Sequence, residues 1–120
     1  MDKKNIKRKM ERIDFSGEIK IRLLAEDKEI SVNIKDISVS GVRIIIAGRI
    51  VKVGAPLEIK MYVNERHIRC KGRIAWVFPL RPSLGNISIF DVGIEFTEVS
   101  PEDAVFLKEL IARQSKERWK

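Results

Sequence analysis

Apolar and polar residues alternate along most of this chain. Ile19, Ile21 and Leu23 share one parity, with Lys20 and Arg22 on the other. Ile30, Val32 and Ile34 repeat the pattern, as do Val42, Ile44 and Ile46, and then Leu57, Ile59, Met61 and Val63. In a fifth run Ile68, Cys70, Gly72, Ile74, Trp76 and Phe78 alternate with His67, Arg69, Lys71 and Arg73. A sixth sets Val92, Ile94 and Phe96 against Gly93 and Glu95. Period-two alternation marks strands with one wet and one dry face, and such strands are usually antiparallel. The parity predicts that Cys70, Trp76, Phe78 and Phe96 point inward, leaving Tyr62 as the strand aromatic on the wet side. Residues 25–29 and 64–66 are short enough for hairpin turns, while 54–56 and 81–86 read as loops. Six such strands can bury their dry faces by closing into a small barrel, which also removes exposed edges.

The period changes at Ser100-Pro101-Glu102-Asp103. Ser suits the N-cap, Pro the first turn, and the two acids the positive end of a helix dipole. Phe106, Leu107, Leu110 and Ile111 then recur at helical spacing. The expected fold is all-β: a six-stranded antiparallel β-barrel with a C-terminal α-helix over about residues 101–117. Residues 1–12 form a separate basic arm, and 13–120 the barrel with its helix.

Composition adds to this picture in two ways. With 120 residues, 44% hydrophobic and 34% charged, the chain suits one soluble domain. Its single cysteine allows no internal disulfide and fits a cytoplasmic protein; no apolar stretch approaches a membrane span. The net charge of +7 is unevenly spread: residues 1–12 carry six Lys/Arg against two Asp/Glu. A basic arm of this kind attracts phosphate.

Enzymatic chemistry finds little material. One histidine, His67, and one cysteine, Cys70, do not make a zinc site, so no metal and no cofactor is expected. No glycine-rich phosphate loop is present. Binding groups are more evident. Arg8 and Arg12 are four residues apart in the arm, and a guanidinium fork matches both a phosphate and the O6/N7 edge of guanine. In Asp36-Ile37-Ser38-Val39-Ser40-Gly41, the parity of Ile30, Val32 and Ile34 continues onto Asp36 and Ser38. A carboxylate and a hydroxyl thus take the apolar register at a strand end. Asp36 can accept hydrogen bonds from the Watson–Crick edge of a guanine, with Ser38 beside it. Alternatively, the two cap local backbone groups in a turn. Gly41 permits a positive φ for a sharp turn.

Taken together, RxxxR at the N-terminus, DxSxxG at a strand end, Gly72-Arg73-Ile74-Ala75-Trp76, Val92-Gly93-Ile94-Glu95-Phe96 and a final helix resemble the PilZ domain family, from about residue 7 to 112. The resemblance implies a six-stranded barrel that binds the bacterial second messenger cyclic di-GMP. It implies that Arg8 and Arg12 hold phosphate and a guanine edge, that Asp36 and Ser38 contact guanine at the barrel's outer edge, and that Gly41 shapes the turn. Lys7 stands where the family sets one ligand against a stacked pair, and Arg81 is a possible further contact. On this reading the ligand draws the arm onto the barrel and signals to an effector protein of motility, pilus, polysaccharide or transcription machinery. A PilZ-fold adaptor that binds only protein is the main alternative. A barrel binding single-stranded nucleic acid is disfavoured, because the parity leaves too few aromatics outside for base stacking.

Overall fold

The computed structural model describes residues 12–48, 51–84 and 87–118. Six strands, β1 (Arg12–Leu23), β2 (Lys28–Ser38), β3 (Gly41–Ala47), β4 (Pro56–Val63), β5 (Arg66–Leu84) and β6 (Ile87–Glu98), precede one helix, α1 (Pro101–Arg118). The strands close in the order β1-β2-β3-β6-β5-β4, and every neighbouring pair is antiparallel. The all-β barrel with a C-terminal helix is therefore as the alternation predicts. Asn64 and Glu65 both take positive φ, 51° and 70°, giving β4 and β5 a two-residue turn whose twist matches that of the strands.

The dry parity supplies the core. Ile19, Ile21, Ile44, Ile59, Ile68, Ile74 and Ile94 are all essentially inaccessible, and Leu107, Leu110 and Ile111 of α1 join the same cluster. Cys70 is buried, as expected. The helix is capped by Ser100, whose Oγ accepts a hydrogen bond from the backbone N–H of Asp103 at 3.2 Å. Asp103 in turn accepts from Arg66 Nε at 2.9 Å, tying the first turn to the start of β5.

Two of the strand boundaries that differ from the sequence reading bear on the predicted site residues. β1 begins at Arg12, so the second arginine of the arm is also a barrel residue. β5 continues to Leu84, which puts Arg81 in a strand rather than a loop. The cause is pairing with β6: Pro79 lies opposite Phe90, Leu80 opposite Ile89 and Leu84 opposite Ile87.

Two breaks in register decide what faces outward. On β2, Ile34 is opposite Ile44 but Asp36 is opposite Arg43, so Lys35 is an extra residue. From there the parity reverses: Ile37 enters the core, paired with Val42 and Ile13, and Asp36 and Ser38 turn to the outer face. On β5, Ile74 is opposite Ile94 but Trp76 is opposite Gly93, with Ala75 as the extra residue. Trp76 and Phe78 are consequently 40% and 62% exposed, and the prediction that they point inward does not hold. A β-bulge adds one residue to one strand and re-aims the side chains that follow it.

Candidate functional site

The reversed segments meet on one wall of the barrel. Asp14, Asp36, Arg43, Gly93 and Trp76 are successive cross-strand partners on β1, β2, β3, β6 and β5. One row therefore runs from an acidic end through an arginine to an indole. Residues one step along, Arg12 opposite Ser38 and Gly41 opposite Glu95, form its upper border.

Charge along the row is closely paired. Asp36 is only 7% exposed although it faces outward, because two guanidinium groups cover it. Arg12 Nη1 donates to its Oδ1 at 2.5 Å, and Arg43 Nη1 donates to its Oδ2 at 3.2 Å. Arg43 is itself held from the other side. Its Nε and Nη2 donate to Oδ1 and Oδ2 of Asp91, each at 2.8 Å, in the fork-to-fork geometry that makes such pairs strong. Hydrogen bonding to Asp91 comes first, burial opposes it, and the net effect raises the pKa of Arg43 above its already high ordinary value. Arg12, Asp36, Arg43 and Asp91 thus form a continuous chain of alternating charge across β1, β2, β3 and β6.

Ser38 is 1% exposed and engaged locally. Its Oγ accepts from the backbone N–H of Ser40 at 3.2 Å and lies 3.2 Å from Ser40 Oγ and 3.4 Å from the Gly41 carbonyl. These contacts form the turn capping that the sequence left as an alternative for this hexapeptide.

Gly41 is required for a different reason from the one expected. Positive φ among the described glycines occurs at Gly48 and Gly54, not at Gly41. At Gly41 a Cβ would collide with the backbone carbonyl of Ile94, so the glycine lets β3 approach β6 closely. Gly93 serves the indole in the same way: a Cβ there would run into Nε1 and Cε2 of Trp76.

Beside the row lies a cleft of about 280 Å³, lined by Arg12, Ser40, Gly41, Ala75, Trp76, Gly93, Ile94 and Glu95. An arginine, an indole and glycine backbone thus border one space. A larger cleft, of about 530 Å³, opens between β4, β5 and the start of α1. Several of its charges are already engaged: Glu58 with Arg22, Lys60 with Glu29 and Lys71 with Glu98. The smaller cleft is the better candidate because it holds a planar aromatic wall beside an arginine.

Among the predicted site residues, the structure brings together Arg12, Asp36, Ser38 and Gly41. Arg8 and Lys7 lie outside the described residues, as does Trp119. Arg81 is described only by its backbone in β5. The sequence reading missed Arg43, Asp91, Trp76 and Gly93. Arg43 and Asp91 are 48 positions apart and meet only through the β3–β6 register. Among the described residues, no group of three or more His, Cys, Asp or Glu could hold a metal, and no helix is long and apolar enough to cross a membrane.

The PilZ domain model matches residues 6–113. The chain belongs to the PilZ domain family. This PilZ chain has no match among curated protein sequences, but several solved structures share its fold. The Bacillus subtilis inhibitor of motility, MotI/DgrA, superposes with a TM-score of 0.80 at 19% identity, covering 94% of this chain and 53% of that one. The PilZ domain of Escherichia coli YcgR with c-di-GMP gives 0.71 at 16% identity, covering 92% and 95%. The K. pneumonia MrkH–c-di-GMP complex gives 0.74 at 15% identity, covering 94% and 55%. The chain spans about half the length of MotI/DgrA and MrkH.

Proposed function

We propose that this PilZ domain is a receptor for cyclic di-GMP rather than an enzyme. Arg12 and Arg8 would hold its phosphates and a guanine edge, with Asp36 and Ser38 at the strand end. The observation that carries the reading is the meeting of Arg12, the glycine-floored cleft and the outward indole of Trp76. A dinucleotide offers an anion and flat purines, and these groups complement both: a guanidinium fork for phosphate and an aromatic face for a base. Asp36 adds acceptor oxygens that match the N–H groups of guanine. The chemistry is recognition alone.

Binding would join the N-terminal arginine to the barrel through the ligand, and the changed surface would be read by a protein partner. YcgR and MrkH are similar PilZ-fold proteins solved with c-di-GMP, which supports the ligand. The description of MotI/DgrA as an inhibitor of motility makes a motility component one candidate for the partner.

Thermal unfolding in the presence of the ligand tests this. At a hundredfold excess over Kd a ligand stabilises by roughly 2.7 kcal/mol, a rise of ~10 °C for a domain of this size. Cyclic di-GMP should produce such a rise in wild type and little in Arg8→Ala or Asp36→Ala, with GMP as control. No shift in wild type would contradict the reading.

The outward turn of Trp76 and Phe78 also favours a second reading. Exposed aromatics on a basic barrel suit single-stranded nucleic acid. A labelled oligonucleotide that bound with steep salt dependence, and was not displaced by cyclic di-GMP, would select it.

A further inference from the structure

We propose that Arg43, clamped by Asp91, is a positioning residue that keeps Asp36 neutralised so that Arg12 can be given up to an anionic ligand. The inference rests on the receptor reading and concerns how the same site is made releasable.

Arg12 has one carboxylate partner among the described residues, Asp36, and its side chain is partly exposed. To grip a phosphate the guanidinium must leave that carboxylate or share it. Asp36 is 7% exposed, and a carboxylate so buried is costly to strip of its counter-charge. Asp14 stands opposite it on β1 and is of the same sign, which adds to the demand for a cation. Lys35 is next in the chain but exposed, on the extra residue of the bulge. Arg43 is the group that can stay. It reaches Asp36 through Nη1 while Nε and Nη2 remain bound to Asp91, which is itself 8% exposed. The fork's separate donors serve both carboxylates at once, one as anchor and one as charge to be covered. The chain of four charges is therefore asymmetric: Arg43 is fixed at its centre and Arg12 is the detachable end.

A structural role for Arg43 would predict a different pattern of binding losses from a role in covering Asp36. The two separate in a double-mutant cycle read by cyclic di-GMP titration. Arg43→Gln should weaken binding tenfold or more in the wild-type background. In an Asp36→Asn background, where there is no charge to cover, the same change should cost less than about twofold. Arg43→Lys keeps the charge without the fork and should recover most of the affinity. The pair Arg43→Gln/Asp91→Asn removes the unpaired acid that the single variant leaves, and should bind as weakly as Arg43→Gln while unfolding as a stable domain. Equal losses in both backgrounds, or no loss at all, would overturn the inference and leave the receptor reading standing. If Asp36→Asn binds too weakly to complete the cycle, the Lys and Gln variants decide: equal weakening overturns the inference. Absence of binding by wild type would instead remove the receptor reading and this inference with it.

Discussion

The indole of Trp76 lies against Gly93, its cross-strand partner, in space that any side chain at that position would fill. The contact fixes the ring on the outer wall at the end of the row that begins with Asp14 and Asp36. It also explains a glycine in the middle of a strand, where the residue weakens pairing unless close approach requires it.

Two substitutions should separate the ring from its seat. Trp76→Ala should lower cyclic di-GMP affinity by about 1–3 kcal/mol, the range for loss of a base-stacking aromatic. Gly93→Ala leaves the indole present but displaced, and should lower affinity in the same direction with little loss of stability, because the exposed ring can swing away. Titration of both variants, with unfolding curves alongside, checks this.

Gly41→Ala should behave differently. Its added methyl meets the Ile94 carbonyl, which is backbone within a paired strand and cannot yield as an exposed ring can. Overpacking of this kind costs about 1–3 kcal/mol. Gly17→Ala is the control: its nearest neighbour would be the Phe15 side chain at 3.2 Å, which can adjust. Urea unfolding of the two variants should rank Gly41→Ala as clearly the less stable.

Acid should expose the Arg22–Glu58 pair. The hydrogen bond from Arg22 lowers the pKa of Glu58 below its ordinary value. A carboxyl whose folded pKa is depressed contributes stability above its unfolded pKa, and that contribution is lost as pH falls through the folded value. Wild type should therefore lose more stability than Glu58→Gln on acidification through the carboxylate range. Both groups are only partly buried, so the difference should be small and should shrink with added salt.

Cys70 should be inert in the folded protein. Burial, with the nearby charge of Asp103 as a lesser cause, pushes its thiol up to about 12. The thiolate is the reactive form, so a thiol reagent at neutral pH should modify Cys70 only as fast as the domain opens. Addition of denaturant should release the reaction.

The sequence reveals the barrel because period-two alternation survives in all six strands and the helix start is written in Ser100 and Pro101. It conceals the site because two extra residues, Lys35 and Ala75, reverse parity inside otherwise regular runs. Each left a trace. Ile37 is apolar between polar Asp36 and Ser38, and Val77 is apolar between Trp76 and Phe78, so either parity could supply the core there. Counting alone cannot choose between a continued strand and a bulged one; the register of the neighbouring strand decides. The same limit hid Arg43 and Asp91, whose pairing depends on alignment between β3 and β6. The DxSxxG stretch and Arg12 were legible as candidates, but Arg43, the second arginine on the same acid, was not.

The most direct measurement is a calorimetric titration of cyclic di-GMP into wild type and Arg12→Ala, with GMP as the control ligand. The account predicts saturable binding by wild type, a loss of tenfold or more in Arg12→Ala, and no comparable heat from GMP. Wild-type protein that is folded but gives no heat and no thermal stabilisation with cyclic di-GMP would contradict the receptor reading outright.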